Sequence, residues 1–268
     1  MIGLYFLRLK WYYLIMNLPK VKFIDIPLSK EVDWIHGFLF QNKWGWSKYI
    51  IKKHPEIKRI FSFKREAEQI KFLKKYIIEF RKENKKLIEE NKKRYQKEWQ
   101  KIEKEFFIVL PKILQIDWPQ NKTIGAMISI NPICPRFLND WSFSIFYNYK
   151  KTSHAMEVIM HECCHFLYFE KWKQLYPKVN NKKFESPYLE WHLSEILAPI
   201  VLNDIRIQKM LKRKADFYTE HKRIKIGGKT VPKYFNDLYN KIAKSKKFDE
   251  FLKESYQTIK KNSKLFKI

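Results

Sequence analysis

Glycine is scarce in this chain, with six residues in 268. Few glycines, combined with long charged stretches of helical pattern, argue for a helix-rich fold. Cysteine is scarcer still: Cys134, Cys163 and Cys164. An odd number with two adjacent excludes a disulfide framework and makes a reducing compartment the simpler assumption. Long uninterrupted apolar runs are missing as well. The N-terminal stretch "MIGLYFLRLKWYYLIMNLPK" is broken by Arg8 and Lys10, so it falls short of the ~20 apolar residues of a membrane span. It also lacks a small-residue cleavage site after a clean apolar core. Residues 1–19 are therefore read as an apolar extension: an upstream addition, a weak membrane-surface anchor or a docked segment. "NLPKVKFIDIP" after Met16 reads as the start of a domain. With no export signal and no transmembrane segment, the expected location is cytoplasmic.

Acidic residues are outnumbered, 28 against 55 basic, for a net charge of +27. Such a surplus favours nucleic acid or anionic membranes by long-range attraction. Yet 46 of the basic residues are lysines spread over every segment, and the chain is rich in Ile, Asn, Phe and Tyr. That mix is what an A·T-rich coding sequence produces, and it reads as a solvated surface. No RNP, zinc-finger or helix-turn-helix signature accompanies it. Nucleic-acid contact is the lesser reading.

What is present is an ample core, 45% apolar and 17% aromatic. We read residues 20–268 as a single helix-rich α+β domain: a helical part over 20–110, a metal-binding core over 111–215 and a helical tail over 216–268. His36 and His54, among the aromatics of the first part, read as ordinary partly exposed histidines. Between 62 and 108, apolar residues recur in steps of three and four, including Ile70, Leu73, Ile77, Tyr95 and Trp99. The spacing predicts one very long helix from a Ser62 cap, or two helices broken near Asn84 to Asn91. Either it is a scaffold helix packing on its own domain, or it is a coiled-coil surface for a partner. Ile124–Ile130 and Trp141–Tyr149 read as strands joined by the proline-bounded "NPICPRFLND". They predict a small antiparallel sheet. A helix follows to Pro177, and another from Ser186-Pro187 to about Arg213. "IGGK" is a turn before the tail.

The helix before Pro177 contains "AMEVIMHECCHFLYFEKW". His161 and His165 lie one turn apart and project from the same side. So placed, two imidazoles can bind one zinc ion, with Glu162 beside it to take a proton from water. The residues around the motif are uncharged, from Val158 to Leu167, which suits a buried metal helix. Two histidines and a glutamate buried without partners would be costly. A hydrolytic zinc site needs one more protein ligand, and the next helix offers Glu190, His192, Glu195 and Asp204. Glu195 is the choice: it sits among Leu193, Ile196 and Leu197, where a carboxylate asks for a positive partner. Pro199 cannot donate to its carbonyl and is expected to bend the helix there. His192 and Tyr188 share its face; Glu190 points elsewhere and reads as surface. Cys163 and Cys164 read as small, buried and inert.

"HECCH" followed by a helical "SE" resembles the gluzincin group of zinc metallopeptidases, the broad superfamily that includes thermolysin. The resemblance covers roughly residues 124–210. It implies a zincin-like domain with zinc held by His161, His165 and Glu195, and Glu162 as catalytic base. It also implies that a strand, "WSFSIFY" or "GAMISIN", pairs with extended substrate. The chain departs from the pattern in two places. The gap from His165 to Glu195 is longer than thermolysin's, and Pro199 stands where many relatives carry an aspartate. Asp204 or Asp140 are the candidates to replace that support. No "HExxHxxGxxH" continuation follows, which excludes the metzincins. Oxyanion stabilisation falls to Tyr188, Tyr218 or His221, with His192 as another group behind the ligands. The expected function is hydrolysis of peptide bonds with Zn²⁺. The rivals are hydrolysis of a non-peptide amide, and a non-enzymatic basic helical module binding nucleic acid or a protein partner.

Overall fold

The computed structural model describes residues 18–41, 43–242 and 247–266. The N-terminal extension lies almost wholly outside these residues. The described chain is helix-rich with a small sheet, an α+β architecture. Among the described residues no helix is long and apolar enough to cross a membrane. The chain divides into two compact units: residues 20–101 with 123–159, and residues 102–122 with 160–268.

The unit of residues 20–101 and 123–159 is built on a four-stranded sheet. Its strands are β1 (Lys20–Asp25), β2 (Thr123–Ser129), β3 (Arg136–Phe137) and β4 (Ser142–Phe146), in the order β1-β2-β4-β3. β1 pairs parallel to β2, β2 parallel to β4, and only β3 runs antiparallel, against β4. The expected antiparallel sheet is therefore mixed. The physical reason lies in the proline-bounded connection. It doubles back through β3, so β4 re-enters in the direction of β2 rather than against it. β1 was not anticipated as a strand, although "KVKFID" carries a polar–apolar alternation that matches its half-exposed face. With β1 and β4 on its two sides, β2 has both edges satisfied, which closes "GAMISIN" to substrate pairing.

Helices α1 (Leu28–Phe40) and α2 (Trp46–Lys53) follow β1; α3 (Glu66–Glu83) and α4 (Lys85–Gln100) come from the 62–108 stretch. The break falls at Asn84, whose side chain donates to the Phe80 carbonyl at 2.9 Å and ends α3. Ser62 does not cap α3. It donates to Arg59 O and lies three residues before Arg65, which occupies the N-cap position of the helix. Leu73, Ile77, Tyr95 and Trp99 are buried, as a scaffold role requires. His54 is a correction, being buried rather than partly exposed. Its Nε2 lies 2.8 Å from Ile130 O, which can only accept, so Nε2 carries the proton and Nδ1 accepts from Tyr76 Oη at 3.0 Å.

The other unit is helical apart from the short hairpin of β5 (Lys225–Ile226) and β6 (Lys229–Thr230). Gly227 and Gly228 turn that hairpin with φ of +55° and +79°, the left-handed pair that a two-residue turn of this hand requires. α5 (Glu103–Leu114) carries Phe106, Phe107 and Leu110 into the core. α6 (Thr152–Leu175) contributes its residues from Met160 onward. α7 (Leu189–Leu202) starts at Leu189 with Tyr188 as its cap residue, not at Pro187, and stops well before Arg213. Asp204 ends that run by accepting the Arg206 N–H and starting α8 (Ile205–Leu211) afresh. After α9 (Thr219–Arg223) come α10 (Val231–Ile242) and α11 (Phe248–Lys261), both of which pack on α7.

Candidate metal centre

α7 is buried all round: every residue from Glu190 to Leu202 is buried. A helix with no wet face cannot leave its polar side chains to water, so each must find company inside the fold. Ser194 donates to its own helix at Trp191 O, 2.8 Å away. Glu190 accepts from Tyr256 Oη at 2.8 Å and stands 3.5 Å from Lys183 Nζ. The surface position expected for Glu190 is thus wrong, because α11 covers it. His192 Nδ1 meets His221 Nε2 at 3.1 Å, with both rings fully buried and Phe266 packed against them. Glu195 finds the two histidines of α6.

There the geometry is tight. Glu195 Oε2 lies 3.2 Å from His161 Nε2, and Glu195 Oε1 lies 3.4 Å from His165 Nε2. The two imidazole nitrogens are 2.8 Å apart, with the rings crossed at 77°. The one-turn spacing on α6 produces this crossing, and Phe169 stacks on His165 to hold its ring. His165 and Glu195 are buried, while His161 keeps 19% of its side chain in solvent. Among the described residues this is the one group of three or more His, Cys, Asp or Glu side chains placed to share a metal ion.

The donor set fits a divalent cation. A tetrahedral ion at 2.0–2.1 Å from its ligands separates them from one another by about 3.3 Å. The imidazole nitrogens lie 2.8 Å apart, and each has a Glu195 oxygen within 3.2 or 3.4 Å, separations close to that value. The chemistry of the groups agrees. Two imidazole nitrogens and a carboxylate converge on one point, and each of the three can present a lone pair to a shared cation. The solvent exposure of His161 leaves the group an open side.

The remaining candidates separate clearly. Glu162 follows His161 on α6 and is buried. Cys163 and Cys164 are buried too, and burial pushes both thiols up, with the Glu162 carboxylate adding to the effect. Neither has the depressed pKa of a reactive or metal-seeking thiolate. Burial holds His192 down to about 4, against the pull of the Glu195 carboxylate. His221 is held at about 4 as well, by burial and by His192. Both imidazoles are therefore neutral at pH 7. Tyr218 caps α9 and packs its ring on Trp191 and His221. Tyr188 stands half-buried at the start of α7. Asp204 binds Arg206 and accepts from Tyr239 Oη at 2.8 Å; these bonds overcome its desolvation and hold it at about 2. Asp140 is exposed and pairs with Lys30. Both aspartates thus have structural employment of their own. The His192–His221 contact was not anticipated. The only hint in the sequence is that His192 precedes Glu195 by one turn on a helix with no exposed face.

Comparison with known proteins returned no matching family model, no matching curated protein and no matching solved structure.

Proposed function

We propose that this chain is a zinc-dependent metallopeptidase of zincin type, acting on peptide or protein substrates in a reducing, cytoplasmic compartment. The observation that carries the reading is the convergence of His161, His165 and Glu195, from two helices, close enough together for one ion to be shared among them. Their roles follow from chemistry. The two imidazoles and the carboxylate would hold the ion, and a single anionic ligand would leave a divalent ion with one net positive charge. Bound there, zinc supplies Lewis acidity toward a substrate carbonyl and an attacking water. Glu162 accepts the proton of that water as its oxygen bonds to the carbonyl carbon. The same carboxyl group then returns the proton to the amine nitrogen as the C–N bond breaks. The buried His192–His221 pair backs the Glu195 helix with neutral, hydrogen-bonded imidazoles, so it adds no charge that competes with the ion.

Two measurements on the purified full chain test this. Elemental analysis should find about one zinc per wild-type chain and far less in His161→Ala and Glu195→Ala. Glu162→Gln should keep the zinc and lose cleavage of casein or of a peptide library. Zinc retained by Glu195→Ala would remove the third ligand from the reading. Peptide cleavage retained by Glu162→Gln would remove the base.

A further inference from the structure

A second feature, in the unit of residues 20–101 and 123–159, is unrelated to the histidine cluster. A cavity of about 400 Å³ opens where the parallel strands end. Its floor is Ile128, Ser129 and Ile130 at the end of β2, with Asp25 closing β1 and Tyr147 just past β4. The carboxyl ends of three adjacent parallel strands thus meet at one opening, the position where open α/β sheets most often take ligands. The volume lies within the range of small-molecule sites, roughly 300–1,000 Å³.

The cavity has a built polar end. Glu31 on α1 is fully buried and accepts from Ser129 Oγ at 2.5 Å and from the Ile130 N–H at 2.8 Å. Its other oxygen holds Arg81 Nη2 at 2.6 Å, and that same nitrogen donates to Ile26 O at 2.8 Å. One corner of the guanidinium is therefore fixed by the protein, while Arg81 itself lines the cavity. Both N–H groups of Nη2 are thereby used, while Nη1 makes no hydrogen bond among the described residues and remains a fixed, charge-assisted single donor for a carboxylate or phosphate oxygen. Lys82 and Lys85 line the same opening. Against these three cations stand Asp25 and Glu89; Lys92 takes Asp25 at 2.8 Å. Ile88, Ile128 and Ile130 supply apolar wall.

We propose that this cavity binds a small amphipathic anion, with its carboxylate or phosphate on Arg81 and the lysines and its apolar body against the isoleucines and Tyr147. The test is calorimetric titration of the full chain with n-hexyl phosphate and with sodium heptanoate, which together reveal the preferred headgroup. Inorganic phosphate and n-hexyltrimethylammonium are the comparison probes. One saturable site is expected for at least one amphipathic anion, about tenfold or more tighter than for inorganic phosphate. Arg81→Lys keeps a cation for Glu31 but loses the Nη1 donor, and should weaken binding about tenfold. Ile88→Trp, which fills the opening from a partly exposed position, should abolish it. Circular dichroism checks that each variant folds. Should Arg81→Lys not fold, the double variant of Lys82→Ala with Lys85→Ala, both on exposed side chains, should still weaken binding about fivefold. The proposal is overturned if neither anion saturates a single site, if the quaternary ammonium binds as well, or if Ile88→Trp and the charge variants leave binding unchanged.

Discussion

Each unit of this protein buries a glutamate beside a serine or histidine, and the two glutamates are treated in opposite ways. Glu31 is surrounded by donors: a guanidinium, a hydroxyl and a backbone N–H. Burial still raises its pKa, and Arg81 with the two hydrogen bonds opposes that rise. Glu195 is faced instead by two imidazole nitrogens. The histidines differ in the same sense. His54 has one acceptor and one donor, each matched to a ring nitrogen. His161 and His165 point nitrogen at nitrogen. Glu31 brings its own positive company, whereas Glu195, in the metal-binding reading proposed above, would share an ion with the two imidazoles.

The contrast can be broken most decisively by removing each carboxylate. Glu31→Leu leaves Arg81, Ser129 and the Ile130 N–H without their acceptor and should destabilise by about 3 kcal/mol in denaturant unfolding. Glu195→Leu in metal-free protein should cost less, because it leaves behind imidazoles that can shed a proton rather than a guanidinium that cannot. Equal losses at the two positions would erase the distinction. Next in size is the response to metal. Zinc at a thousandfold above its dissociation constant should stabilise the wild type by about 4 kcal/mol and shift its melting midpoint, while leaving Glu195→Leu unmoved. A similar shift in both would place the ion elsewhere.

A smaller effect concerns pH. Burial lowers the His54 pKa, opposed by its bond to Ile130 O. The folded state thus binds fewer protons than the unfolded chain once pH drops below the ordinary imidazole value of about 6.5. His54 should therefore contribute stability at pH 7.5 that is lost progressively on acidification. Melting of wild type and His54→Gln at pH 7.5 and 5.5 measures it, and the variant should show the shallower slope. The smallest expected signal is chemical: Cys163 and Cys164, buried with raised pKa values, should resist iodoacetamide at pH 7 until the chain unfolds. Rapid labelling of native protein would mean that their helix opens.

Much of the candidate centre was legible because it is local. An i, i+4 pair of histidines on a helix needs only helical geometry to face one way, and the apolar neighbours of Glu195 marked it as a buried charge. The break at Asn84 was likewise legible, since a short amide side chain competes for helix carbonyls. Sheet direction was not. Strand periodicity is the same for parallel and antiparallel neighbours, and only the path of residues 130–141 through β3 sets the direction of β4. Glu190 was misplaced for a related reason. Its burial depends on α11, more than sixty residues away in sequence.

By itself, then, the sequence determined the helix-rich character, the pairing of His161 with His165 and the presence of a buried carboxylate one helix downstream, because these rest on spacing and on the cost of burying charge. Only the tertiary structure decided that the Glu195 oxygens reach both imidazoles, that His192 turns to His221, and that three strand ends converge on the Arg81 cavity. Each of these depends on where separate elements come to rest against one another. That packing is set by the fit of whole faces, which no local pattern of residues encodes.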